Sequence, residues 1–418
     1  MSAITRVDLE CGMPLIVERM GGVRSVAMTW LVPAGSSSDP ADRQGLSALW
    51  SELIWRGAGD RNSRAHADAL DRLGVNRSSS TGSSFLRLGA SLVGDRIDLA
   101  LDLFVDMVRR PTFDEASIEP ARDLALQAIR SLDDDPHERA VIAARLAHLP
   151  DPLGRSTYGE ADAIRATTRD DIIEGWKRRA LPSGSIMAIA GDVNLEKMRP
   201  HIEELLAGWT GTASEPQVGP VPARGLRHVE DETNQVQIVL VHDAPREADP
   251  DSMLERVVVG VLSGGMSGRL FTEVREKRGL CYSVSASYRA DRDYGVGTGY
   301  VGTTPERADI SLEVLQAELE RINTPDGRVT PEEFERAIVG LKAGVVFSGE
   351  STSARASALA GDIHKLGRAR TLEEVTERID AITLDEVNAY LARRSLGKTT
   401  VVTLGPSALE AATAPTAR

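Results

Sequence analysis

Cysteine is nearly missing: Cys11 and Cys281 are the only two in 418 residues. Two thiols cannot build a disulfide framework or a cysteine-based zinc site. Long apolar runs are missing too, since stretches such as 257–262 fall far short of the ~20 residues needed to span a bilayer. The first ten residues hold no apolar core followed by a cleavage site, so no secretory signal is visible. These absences predict a soluble, cytoplasmic protein with no membrane partner. Basic residues are in deficit, 49 Lys and Arg against 62 Asp and Glu, for a net charge of −13. A surface of that sign repels phosphate backbones, which argues against nucleic-acid binding. The seven histidines include no close pair, the nearest two, His137 and His148, being eleven residues apart. Neither His-Glu-x-x-His nor His-x-x-Glu-His can be written, so zinc held at one-turn helical spacing is excluded.

What remains is ordinary globular composition, 41% apolar and 27% charged, with length enough for two to four domains. An internal repeat organises it. Thr168-Arg-Asp-Asp-Ile-Ile leads to Arg178-Arg179-Ala-Leu181, then the apolar run 186–190 and Gly191-Asp-Val. Thr383-Leu-Asp-Glu-Val-Asn leads to Arg393-Arg394-Ser-Leu396, then the run 400–404 and Gly405-Pro. The helical parts match at an offset of 215 residues, from Thr168 to Thr383. Each reads as a threonine-capped amphipathic helix, a short buried strand and a turn.

Between the halves, 211–225 carries three prolines and few periodic apolar residues, the composition of a linker. The expected domains are therefore 1–212 and 225–406, joined by 213–224 and followed by a frayed tail, 407–418. Strands are expected at 25–32, 85–92, 235–241, 282–288 and 294–301. Long helices are expected at 97–109, 115–132 and 331–347. Runs of helices between neighbouring strands predict two α+β domains, each a mostly antiparallel sheet with helices packed on one face.

Two local motifs have bland readings. Asp133-Asp134-Asp135-Pro136 reads as a solvated helix end before a breaker. Gly264-Gly265-Met266-Ser267-Gly268-Arg269 is neither a nucleophile elbow, which needs glycine at 269, nor a phosphate loop. It is either a turn feeding a helix or a set of exposed N–H groups for anions and peptide carbonyls.

The segment Leu262-Ser-Gly-Gly-Met-Ser-Gly-Arg-Leu-Phe-Thr-Glu-Val-Arg275-Glu-Lys-Arg-Gly-Leu-Cys-Tyr282-Ser-Val resembles the C-terminal domain of the pitrilysin/insulinase-type zinc peptidases. This inverzincin family includes mitochondrial processing peptidase. Gly45-Leu-Ser-Ala-Leu-Trp-Ser-Glu, Leu153-Gly-Arg and Gly191-Asp-Val extend the resemblance over nearly the whole chain. It implies duplicated α+β domains and a His-x-x-Glu-His helix near the start. At that place stands Ala48-Leu-Trp-Ser51-Glu52. Ala48 replaces the first histidine, Ser51 the glutamate base and Glu52 the second histidine, while the third ligand falls at Ala128. Two methyl groups and one carboxylate cannot form the open three-ligand site that activates water.

Arg275 and Tyr282 keep the spacing of the family's arginine–tyrosine substrate pair, although an exposed helix arginine and a strand tyrosine would look the same. The resemblance is therefore to a non-catalytic subunit. It implies no activity alone, zinc in an active paralogue partner, a heterodimeric metalloendopeptidase and a peptide bound in trans by Arg275 and Tyr282. The alternative is a structural scaffold like the core proteins of the respiratory cytochrome complex. New chemistry at Glu52 lacks any accompanying base–nucleophile set.

Overall fold

Residues 4–409 are described by a computed structural model, in which period-two alternation decides the first sheet. Its chain order is β1 (Ile4–Asp8), β2 (Pro14–Arg19), β3 (Ser25–Val32), the short hairpin β4 (Gly57–Ala58) and β5 (Arg61–Asn62), β6 (Asn76–Thr81), β7 (Leu86–Val93) and β8 (Ile186–Gly191). Six of these form a sheet in the order β1-β2-β8-β3-β7-β6, antiparallel except for β2 with β8. Val26, Met28, Trp30 and Val32 of β3 point into the main core, where helices Leu46–Leu53, Ile97–Arg109 and Arg169–Arg179 supply Trp50, Phe104 and Trp176. Ala27 and Leu31 point the other way. With Ala188 and Ala190 of β8 they line a shallower face, filled by Ala356, Leu359, Ala360 and Ile363 of helix Thr352–Leu366.

The second sheet repeats this plan. Strands β9 (Gly225–Glu230), β10 (Val236–Asp243), β11 (Cys281–Ala290), β12 (Gly295–Thr303) and β13 (Thr400–Gly405) lie in the order β11-β12-β10-β13-β9. Only β13 with β9 is parallel. One face packs on helices Ser252–Ser263, Ala308–Arg321 and Leu384–Arg393. The other receives Ala140, Ala144 and Ala147 of helix Pro136–His148 against Val239, Val241, Val402 and Leu404.

The α+β class and the mostly antiparallel sheets agree with the sequence. The helix behind each sheet is the addition, and it comes from the other half of the chain. Two compact units result, one of 4–131, 151–219 and 348–371, the other of 132–150, 220–347 and 372–409. Within the segment read as a linker, 213–219 belongs to the first unit, where the Gly219 N–H donates to the Asp151 carbonyl at 2.7 Å.

Both exchanged helices are rich in alanine, so they approach their sheets closely, and each is tied by an ion pair. Arg139 meets Asp231, and Arg355 meets Glu18 at 2.6 Å with both side chains buried. Arg139 and Arg355 are 216 residues apart, as are Ala140 and Ala356, so the repeat includes these helices. The repeated threonines at 168 and 383 both form capping boxes, with Asp171 and Glu386. The triple-aspartate run ends one helix and starts another, Asp135 accepting from the Glu138 N–H at 3.0 Å. Of the tail expected to fray, Leu409 is buried against the second core, and 410–418 lie outside the described residues. Among the described residues no helix is long and apolar enough to cross a membrane.

Candidate functional site

Helix Leu46–Leu53 is fixed at its first turn by a buried carboxylate. Asp39 accepts from the N–H groups of Gly45 (2.8 Å) and Ser47 (3.1 Å) and from the Ser47 hydroxyl (2.9 Å). Gly45 sits at φ +117°, where a side chain would also meet Ile164. Burial pushes the Asp39 carboxyl up to about 7, against the pull of these donors and of Arg155. The buried side chains Leu46, Leu49, Trp50 and Leu53 secure the core face of this helix.

Ala48, Ser51 and Glu52 lie on the opposite, half-exposed face, one turn apart. Ser51 is engaged, its hydroxyl donating to Ser79 of β6 at 3.1 Å. The Trp55 indole N–H also donates to the Ser79 hydroxyl (2.8 Å), which in turn donates to the Ser51 carbonyl (3.0 Å). Ala128 lies on helix Glu115–Ser131, which packs beside Leu46–Leu53. Methyl groups at 48 and 128 offer a metal no electron pair, and Ser51 is held by a strand hydroxyl. This donor set does not fit zinc. Among the described residues no three His, Cys, Asp or Glu side chains are grouped to hold a metal.

The second locus is better formed. Arg275 stands on a π-helical turn, Phe271–Glu276, a helix form frequent at functional sites. Tyr282, the second residue of β11, sits at a bulge, where the register with β12 slips between Cys281 and Ser283. The bulge turns Tyr282 out of the ladder and leaves it 78% exposed. The Arg275 guanidinium lies 4.8 Å from the Phe271 ring centre and 5.2 Å from that of Tyr282. Two aromatic faces thus hold the cation, and its N–H donors meet no hydrogen-bond or ion-pair partner among the described residues. Phe271 was not singled out in the sequence, although its position four residues before Arg275 on one helical face was the available signal.

Arg269, at the end of the glycine motif, has a structural task. It binds Glu333 through Nε (2.7 Å) and Nη2 (2.6 Å) and donates to the carbonyls of Gly327 and Arg328. Gly260, Gly264, Gly268 and Gly340, with Ser267 and Arg336, border a pocket of about 270 Å³. Met266, in the turn itself, is 74% exposed.

Residues 16–160 match the family described as Insulinase (Peptidase family M16), and residues 166–341 match the Peptidase M16 inactive domain. The chain belongs to peptidase family M16. This M16 protein is 28% identical over 408 residues to an uncharacterized zinc protease of Mycobacterium leprae, covering 95% of this chain and 90% of the relative. To an uncharacterized zinc protease of Bacillus subtilis it is 25% identical, covering 94% of this chain and 95% of that one. Its fold matches a peptidase M16 inactive domain structure from Pseudomonas fluorescens, with TM-score 0.86 at 19% identity over 98% of this chain and 99% of the other. It also matches a chain of Complex III2 from Candida albicans, with TM-score 0.82 at 16% identity over 97% and 96%.

Proposed function

We propose that this M16 chain is a non-catalytic subunit that pairs with an active, zinc-bearing paralogue and contributes Arg275 and Tyr282 to peptide handling in that complex. The observation that carries the reading is the contrast between the two loci. At Ala48, Ser51, Glu52 and Ala128 a single carboxylate, Glu52, remains where a three-ligand metal site would be needed. At Arg275 and Tyr282 an exposed phenol at a bulge packs on a guanidinium from a π-helical turn that has no hydrogen-bond or ion-pair partner among the described residues.

In the proposed complex the Arg275 fork donates to a substrate backbone carbonyl. The Tyr282 hydroxyl would donate to the oxyanion that develops on the scissile carbonyl, the partner's zinc site being what would activate the attacking water. Losing one such donor costs roughly 10²–10³ in turnover. Tyr282→Phe therefore lowers kcat of the complex more than it raises KM, and Arg275→Ala impairs both. Steady-state kinetics on complexes of wild-type partner with each variant test this. Unchanged turnover in both assigns the chain instead to a scaffold role, a reading supported by the fold match to the Complex III2 chain.

A further inference from the structure

Helix Thr352–Leu366 covers its face of the first sheet mainly over β3 and β8. Strands β7 and β6 continue that face towards the sheet edge. Alternation decides which of their residues belong to it. Leu86, Leu88 and Ala90 of β7 enter the main core, and the Ser79 and Thr81 hydroxyls of β6 turn the same way to meet Ser51 and the Ser47 carbonyl. Arg87 and Gly89 of β7 therefore share the opposite face with Ser78 and Ser80 of β6. Ser80 lies directly across the ladder from Arg87, and Ser78 from Gly89. The Ser78 hydroxyl leans over that glycine, 2.6 Å from where a Cβ would stand. Two hydroxyl groups thus flank one guanidinium.

Arg87 is half-buried, while Ser78 and Ser80 are exposed, so the cluster opens to solvent. None of the three side chains has a hydrogen-bond or ion-pair partner among the described residues. Burial lowers the Arg87 pKa, and no neighbouring carboxylate raises it again. The carboxylates of this face already have cations: Asp8 has Arg6, Glu18 has Arg355 and Asp362 has Arg370. A cation drawn partly out of water without a counter-ion is a cost to the fold. The fold itself does not ask for it. Arg87 stands between Leu31 and Ser80, and the matching place in the second sheet, between Val241 and Ser287, holds Thr298.

We propose that Arg87, with the Ser78 and Ser80 hydroxyl groups, is a binding site for an oxyanion, a carboxylate or a phosphate group. The planar guanidinium fork matches two oxygens of either group, and each serine can donate to a further oxygen lone pair. The site belongs to the first unit and is independent of the peptide-handling reading of Arg275 and Tyr282.

The test follows the Arg87 Nε–H and the Gly89 amide by nuclear magnetic resonance in the isotope-labelled full-length chain. Inorganic phosphate and acetate are titrated separately at constant ionic strength, and the Arg87 signal is assigned by its loss in Arg87→Gln. The expected result is a saturable shift at both positions with at least one anion. Read at Gly89, Arg87→Gln weakens binding by roughly tenfold or more, and Arg87→Lys, which keeps the charge without the fork, restores part of it. Ser78→Ala combined with Ser80→Ala weakens it roughly three- to tenfold. Unchanged amide signals elsewhere show that each variant folds. Tighter phosphate binding assigns a phosphoryl ligand and tighter acetate binding a carboxylate, and either upholds the site. An Arg87 signal that stays still, or drifts without saturation like those of the exposed Arg19 and Arg24, reports ionic screening only and overturns the proposal. An unchanged Gly89 response in Arg87→Gln overturns it as well.

Discussion

Helices Arg169–Arg179 and Leu384–Arg393 begin with the same capping box, yet their shared positions solve opposite problems. In the first unit the position 215 residues before Tyr390 is Gly175, where a Cβ would lie 2.7 Å from the Trp50 ring. The glycine makes room for an indole that donates to the Ile172 carbonyl at 3.0 Å. In the second unit Tyr390 fills the space, and its hydroxyl donates to the buried Glu255 carboxylate at 2.6 Å. Arg179, one turn on, donates to the carbonyls of Pro33 and Ser214. Its counterpart Arg394 forks onto Glu255 at 2.8 and 2.7 Å. All five tryptophans lie in the first unit; each unit also buries an ion pair, Arg355–Glu18 in the first and Arg394–Glu255 in the second, but only the second unit places it at this helix. At this helix the repeat thus holds either an aromatic or an ionic contact, and the donors placed there, Trp50, Tyr390 and Arg394, are each answered.

That comparison can be broken most sharply at its arginines. Arg394→Ala strands the Glu255 carboxylate and should cost about 3–5 kcal/mol, as should Arg355→Ala, which strands Glu18. Arg179→Ala removes bonds to neutral carbonyls and should cost about 1–3 kcal/mol. Arg139→Ala, whose partner Asp231 retains some exposure, should cost about 1 kcal/mol. Urea unfolding checks this with two probes, because tryptophan fluorescence reports the first unit alone and far-ultraviolet dichroism reports both. Arg394→Ala should move the dichroism transition more than the fluorescence one.

Acid should weaken both units by a smaller amount. His66 is fully buried with neither ring nitrogen hydrogen-bonded, and burial, helped by Arg61 and Arg77, pushes it down to about 4. His148, held between Thr400 and Asp243, is likewise pushed to about 4 by burial and by Arg224. Each histidine folds neutral and prefers to be charged when unfolded. Its stabilising contribution is therefore full above about pH 6.5 and is lost as pH falls towards 4. At pH 5 the loss should be about 1–2 kcal/mol per histidine. His66→Phe should flatten the fluorescence-detected share of this dependence and leave the remainder. The finest contrast is between the caps. Thr168→Ala and Thr383→Ala should each cost about 1 kcal/mol, and near-equal losses would show that the repeat is energetic as well as geometric.

Much of this architecture was legible because it is local. Strands such as Ser25–Val32, the helix Ile97–Arg109 and both threonine caps follow from alternation, helical periodicity and side-chain chemistry within one segment. The exchanged helices were not. Their alanines carry little amphipathic signal, and the strands they cover lie far along the chain, Arg355 from Glu18 by 337 residues. The Arg275–Tyr282 pair was found from its spacing and resemblance. The bulge at Tyr282 and the second ring at Phe271 depend on how β11 meets β12, which no single segment records. The role of Asp39 was not legible, because an aspartate seven residues before a helix becomes its anchor only when the intervening loop folds back.

The exchange of helices also governs how this protein can be made. During synthesis the strands of the first sheet are complete at Gly191, but the helix that covers its rear face, Thr352–Leu366, begins about 160 residues later. At roughly 5–20 residues per second, the strands carrying Ala27, Ala188 and Ala190 wait many seconds with that apolar face uncovered. A cut in the proline-rich segment between the halves would not release two finished domains. Each fragment would carry away the helix that the other requires, so the halves would regain their folds only by being expressed together and trading those helices back.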